Sequence, residues 1–313
     1  MQSKLSSFFS VKIDYNEKHK KCFIYDPSQF RAYFTSKPEE GDTFIIKRSG
    51  INLYLRSSLK IMYEFPTFES CYIPLLKSNL QKAIRRGLVN IAVTTALALL
   101  QREPIELLRR LAIIFIEDVC LMDSYPIIVW LMIADKDYTL TSYDIDIVLR
   151  IIKSLCECKE YFSYDFDCKM VFTHDLLENI ECHNELLALY YRSLYGGMKG
   201  DIEMLCCAIK YYINNPTKII KTVFNVIDCP FELEILDEAI DYHPFPLMIN
   251  MLCKKTTLDI KTIKELIWSV ESGYNIRKSI TKTASNLSRA TDEWKLIETH
   301  LAGIRSTLVS TSV

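Results

Sequence analysis

The chain has 313 residues, a mass of 36.4 kDa and a formal net charge of -1, with 49% hydrophobic and 25% charged residues. That length suits one large domain or two modest ones. The apolar fraction excludes bulk disorder, and the near-zero charge excludes a globally basic nucleic-acid coat while leaving room for a local basic patch. Only 8 residues are glycine, against an average of about 7%, which argues against turn-rich β architectures and Gly-rich nucleotide loops. Mean hydropathy is +0.07, and the most apolar run, Leu111 to Ile116, ends at Glu117 and Asp118. A membrane helix needs roughly 20 apolar residues, so none is expected. Met1-Gln2-Ser3-Lys4-Leu5 carries no apolar core of a secretory signal. The 11 cysteines are therefore expected as thiols in a nuclear, cytosolic or viral-factory setting, and an odd count excludes complete internal pairing. Richness in Ile, Lys, Tyr and Asn suggests an AT-rich genome, such as that of a large DNA virus.

In chain order, residues 1–12 form a short semi-apolar tail, of the kind that is usually poorly ordered. Residues 13–70 are punctuated by Pro27, Pro38, Gly41, Gly50 and Pro66. Short β-type runs lie between these breaks at 22–25, 43–46 and 51–55, with Arg48-Ser49-Gly50 as a hairpin turn. From Ile73 the texture changes. Leu76, Leu80, Ala83, Ile84 and Ile91 recur near helical spacing. The spacing predicts helices over 92–100, 105–119 (Pro104 at its start, apolar on most faces), 125–134, 145–156, 176–195, 202–212, 219–226 and 233–240. The stretch 286–313 reads as a separate C-terminal helix or tail. The expected fold is mainly α: a multi-helix array over 71–285 with a small β-containing N-terminal region and a flexible tail.

The tail carries a specific pattern. Gln2, two residues, Leu5, two residues, then Phe8 and Phe9 match the spacing of a peptide that plugs a preformed pocket. One helical turn brings Leu5 and Phe8 to one side at i and i+3. Phe9 extends the apolar plug, and the Gln2 amide offers a donor and an acceptor to a small polar side pocket. This segment resembles the PIP box, the peptide that docks on sliding clamps of the PCNA type. The resemblance implies Gln2, Leu5, Phe8 and Phe9 as anchors. Alternatively, Phe8 and Phe9 tuck into the chain's own core.

The segment from Leu75 to Asp137 has a second resemblance. Lys82, Ile84 and Arg85, then an Ala-rich run, Pro104, Arg109-Arg110 and Glu117-Asp118-Val119 follow the order seen in the C-terminal helical region of the RarA/MgsA family. These are replication-associated recombination ATPases related to clamp loaders. The resemblance spans about a fifth of the chain and implies a collar-like helical domain, used in that family for subunit assembly and DNA-side contacts. No Gly-x-x-x-x-Gly-Lys-Ser/Thr motif is present, and too few residues precede Ile73 for the ATPase module, so ATP hydrolysis is not implied. The bordering charges Arg109, Arg110, Glu117 and Asp118 are expected to pair with neighbouring helices. Lys77, Lys82, Arg85 and Arg86, with no acid between Leu75 and Gln101, read either as a solvated face or as phosphate contacts to DNA. Arg277 and Lys278 belong to a second basic stretch with the same two readings.

Three further groupings carry less. Cys156, Cys158, Cys168, His174, Cys182 and His183 lack the paired Cys-x-x-Cys knuckles of a zinc site. Gly196, Gly197 and Gly200 cluster in one loop flanked by Arg192 and Lys199. That loop fits a helix end followed by an Asp201 N-cap better than a phosphate cradle. His243 beside Asp241 has no nucleophile, metal set or second carboxylate at a fixed spacing. The expectation is therefore a non-enzymatic replication or repair accessory protein, without metal or cofactor. Its partners are a PCNA-like clamp, candidate DNA contacts, and a protein complex or a second copy of itself, located in the nucleus or a viral replication factory. The alternatives are a clamp-recruited, nuclease-like DNA-processing enzyme and a virus-specific structural or interaction protein.

Overall fold

The structure is a computed structural model that describes residues 21–26, 30–34, 43–48, 51–56, 68, 72–134, 138–162, 180, 183–225, 227, 232–242, 245–271 and 291–311. The chain divides into two compact units, residues 1–58 and 59–313, so the boundary falls earlier than the expected residue 70. The described part is mainly helical.

The first unit contains an antiparallel sheet of four strands: β1 (Lys21–Asp26), β2 (Phe30–Phe34), β3 (Thr43–Arg48) and β4 (Ile51–Arg56). Their order across the sheet is β1-β2-β4-β3. Arg48 pairs with Ile51 and Thr43 with Leu55, which is the expected hairpin. β2 pairs with β4 from Arg31 opposite Arg56 to Phe34 opposite Leu53. β2 is not among the expected β-type runs, although three aromatic residues in five fit a pleated surface well.

In the second unit the helices are α1 (Ile73–Arg86), α2 (Val89–Arg102), α3 (Pro104–Asp118), α4 (Tyr125–Ala134), α5 (Ser142–Glu157), α6 (Asn184–Leu194), α7 (Lys199–Asn214), α8 (Asp237–Tyr242), α9 (Phe245–Lys255), α10 (Ile260–Glu271) and α11 (Asp292–Thr311). Local chemistry sets several ends. Proline stands in the first turn of α1 and at the start of α3, where its missing N–H is no loss. Gly87, at φ 74, closes α1 and donates to Ala83 O and Ile84 O. A left-handed residue at that point suits glycine. Thr141 and Asp144 form a reciprocal capping box that starts α5.

Packing follows the apolar patterning. All ten residues of α4 are buried, as expected of a helix that is apolar all round. In α2 every residue from Ala92 to Leu100 is buried. α1 packs on α2, α3 and α8, α2 on α3 and α5, and α4 on α3 and α6, with α6 against α7. A second core joins Leu75 of α1 to Ala239 and Ile240 of α8, Met248, Ile249 and Leu252 of α9, Ile263, Ile267 and Val270 of α10, and Trp294, Ile297, Leu301, Ile304 and Leu308 of α11. Leu75 and the short α8 thus tie the two halves of the helical unit together.

Several boundaries differ from expectation. Residues 219–225 are not helical: a 3-10 turn at Pro216–Lys218 leads into an extended segment in which Ile220 bridges Met122 in parallel. Pairing with residues 121–123, through Ile220 N to Leu121 O and Asp123 N to Ile220 O, at 3.0 Å each, outweighs an apolar spacing that suits either structure. The helix expected at 233–240 begins only at Asp237, because Asn79 holds the preceding backbone. α11 is no separate tail, since five of its side chains enter the second core. α6 begins at Asn184, and most of the expected stretch before it lies outside the described residues.

Candidate functional site

Gln2, Leu5, Phe8 and Phe9, the expected anchors of a clamp-binding peptide, lie outside the described residues, as do Arg277, Lys278 and His243. The four cations on α1 are described, and they form a charge junction where α1 meets α3 and α8.

The junction follows from helical geometry. Leu75, Asn79, Lys82 and Arg86 are spaced so that they fall on one stripe of α1, and this stripe turns toward α8 and the backbone before it. Asn79 is fully buried. It donates to Thr95 Oγ1 and to Glu234 O, both at 2.8 Å, and accepts from Leu236 N at 2.9 Å. Arg86 pairs with Glu238 through Nη2. On the adjoining face, Arg85 donates from Nε to Asp118 Oδ1 and stands 3.5 Å from Glu117 Oε1. Gln81 donates to Asp118 Oδ2 at 2.9 Å and accepts from Arg110 Nη1 at 3.4 Å. Lys77 pairs with Glu106 at 2.5 Å.

Electrostatics confirm that these groups answer to one another. Lys82 is 4% exposed. Burial, then the neighbouring Arg85 charge, pushes its ammonium down to about 7, against the attraction of Asp118, Glu238 and Glu117. Burial also opposes the charge on Arg85, but Asp118 at its guanidinium more than offsets this and raises it further. Burial, then the like charge of Asp118, raises Glu117. The hydrogen bond from Lys77 holds the Glu106 carboxyl below its usual range.

This bears on both readings of the α1 cations. Lys82 and Arg85, at 4% and 3% exposure, lie on no solvated face and are not presented to a nucleic-acid phosphate in this fold. Lys77 and Arg86 are half-buried and engaged by Glu106 and Glu238. No acid stands near them in sequence, and the partners lie 29 to 152 residues further along the chain. By contrast, Arg109, Arg110, Glu117 and Asp118 do find intramolecular partners, Arg109 with Glu106 on its own helix and the others on α1. Asn79 and Glu238 are members of the junction that sequence reasoning misses. The available signal for Asn79 is an amide at a core position between Leu76 and Ala83.

Beside the junction lies a cavity of about 710 Å³, lined by Arg86, Asp237, Glu238, Trp294, Glu298 and Arg305 among others. Its two arginines are both matched, Arg86 by Glu238 and Arg305 by Asp237 at 2.9 Å.

At the glycine-rich loop, Gly196 and Gly197 adopt φ 93 and 145, conformations that disfavour a side chain. Arg192, 4% exposed, donates from Nη1 to Gly196 O at 2.7 Å. The loop is therefore a braced helix joint rather than an open cradle. The N-cap of α7 is Met198, one turn before the expected Asp201. Of the cysteine and histidine grouping, Cys168, His174 and Cys182 lie outside the described residues. Among the described residues no three His, Cys, Asp or Glu side chains are placed to hold a metal ion, and no helix is long and apolar enough to cross a membrane. Compared with protein-family models, with curated proteins and with solved structures, the chain gives no match.

Proposed function

We propose that the protein is a non-enzymatic accessory factor of DNA replication or repair, tethered to a PCNA-like sliding clamp by its N-terminal peptide. The observation that carries this reading is the spacing of Gln2, Leu5, Phe8 and Phe9, in which three apolar anchors and one amide suit a single preformed pocket. The likeness of residues 75–137 to the RarA/MgsA collar supports an assembly role for the helical body. A tether of this kind raises local concentration at the replication site without a tight contact between body and DNA. That suits an α1 whose Lys77, Arg85 and Arg86 already pair with carboxylates. Any direct DNA contact then falls to other groups, with Arg277 and Lys278 as the remaining candidates.

The test is a calorimetric titration of the full chain with the cognate clamp. Phe8→Ala/Phe9→Ala is expected to weaken binding by about 30-fold or more, the loss typical of two central aromatic anchors. Equal binding by wild type and double variant would refute the reading.

A further inference from the structure

The eleven cysteines have no part in the proposed tether, and two of them are placed for chemistry. Cys120 follows the end of α3 and is 3% exposed. Cys158 caps the C-terminus of α5 and is half-buried. They are 38 residues apart in sequence, yet their sulfurs lie 3.8 Å from each other.

The backbone holds them there from both sides. Cys158 N still donates to Ser154 O, but its own φ of -64 and ψ of 129 turn the chain out of the helix. Residues 158–162 then run back across the end of α3, where Phe162 N donates to Val119 O. Just beyond Cys120, Leu121 N donates to Tyr212 Oη at 3.0 Å and Leu121 O accepts from Ile220 N at 3.0 Å. Phe162, Tyr211 and Tyr212 pack ring against ring at 5.0 to 5.5 Å. The backbone around the two sulfurs is thus fixed by hydrogen bonds and aromatic packing, and the Cys158 thiol also donates to Glu160 O at 3.6 Å. A disulfide needs an S–S distance of about 2.05 Å, so the sulfurs must close by about 1.8 Å, within the reach of small side-chain rotations.

We propose that Cys120 and Cys158 are a redox modification site that forms a reversible intramolecular disulfide. The oxidant class is a small-molecule disulfide such as glutathione disulfide. The exchange begins at Cys158, the sulfur that solvent reaches. Its thiolate attacks one sulfur of the oxidant, giving a protein–glutathione mixed disulfide and releasing one glutathione thiolate. The Cys120 thiolate then attacks Cys158 Sγ, forms the internal S–S bond and expels the second glutathione. Two protein thiols are oxidised by two electrons, one glutathione disulfide becomes two glutathiones, and the two thiol protons leave with them. In a reducing compartment such a pair rests as thiols and closes when the poise shifts, which is the usual use of a disulfide there. Closure would fasten the 158–162 segment to the end of α3 and lock the contact that includes the Phe162 N to Val119 O hydrogen bond and the aromatic cluster.

The experiment is equilibration of the native full chain with glutathione disulfide, followed by intact mass and a non-reducing peptide map. The expected result is a loss of about 2 Da, one disulfide's worth of hydrogen, a linked peptide containing Cys120 and Cys158, and return to the starting mass with dithiothreitol. Cys120→Ser should stop at the glutathione adduct on Cys158, and Cys158→Ser should not crosslink Cys120. The same treatment in urea should scramble the pairing, which distinguishes native proximity from chance. If the native wild type yields a different linked pair, or keeps both residues as thiols or glutathione adducts, the proposal is wrong. The wild-type map decides this even where a serine variant fails to fold.

Discussion

Lys82 offers the sharpest physical test of the charge junction. In the folded chain its ammonium gives up its proton near pH 7, against an ordinary value of 10.5, because burial and Arg85 oppose the charge. A base with a depressed folded pKa leaves the unfolded chain holding one more proton between the two values, so stability rises with pH across that window. The contribution is complete above about 10.5 and is lost as pH falls through about 7. The slope is at most about 1.4 kcal/mol per pH unit, and the gap of about 3.5 between the two values caps the whole effect near 5 kcal/mol. Lys82→Met keeps the length of the side chain and removes the titration. Urea unfolding of both proteins at a series of pH values from 6.5 to 9.5, roughly the span of that window, isolates this one group in the difference. The advantage of the Lys82→Met variant over wild type should shrink by about 3 kcal/mol between pH 7 and 9.5. A difference that stays flat with pH would refute the claim that Lys82 is held in a dry, cation-crowded site.

Three further outcomes probe the same architecture. Arg85→Met leaves Asp118, 3% exposed, without its guanidinium and should cost about 3–5 kcal/mol in urea unfolding, with much of the loss recovered in Arg85→Met/Asp118→Leu. Asn79→Leu removes three hydrogen bonds between α1, α2 and the backbone before α8. It should cost about 2–4 kcal/mol and speed amide exchange in α8 more than in α2. Thr141→Ala breaks the capping box of α5 and should lower stability by about 1 kcal/mol, read as a shifted urea midpoint with unchanged slope.

How much is legible without coordinates differs from one element to the next. Helices α2, α3, α4 and α5 can be read because their apolar spacing is long and their starts carry Pro104, Tyr125-Pro126 and Thr141. The segment 219–225 cannot, because Ile219, Ile220 and Val223 suit a helix or an extended strand equally. Only the presence of residues 121–123 alongside decides between them. α11 reads as an appended tail because the burial of Trp294, Ile297 and Leu301 depends on α8, α9 and α10, which close around them.

The same division runs through the charges. By itself the sequence determined that this is a mainly helical chain, that Gln2, Leu5, Phe8 and Phe9 stand in a Gln-x-x-Leu-x-x-Phe-Phe pattern, and that four cations and no acid fall within α1. What those cations do was decided by the tertiary structure. A cation's role depends on what solvates it, and Asp118, Glu106 and Glu238 replace water only after α3 and α8 fold onto α1. The approach of Cys120 to Cys158 is of the same kind. A sequence separation of 38 residues says nothing of a 3.8 Å contact until the ends of α3 and α5 are brought side by side.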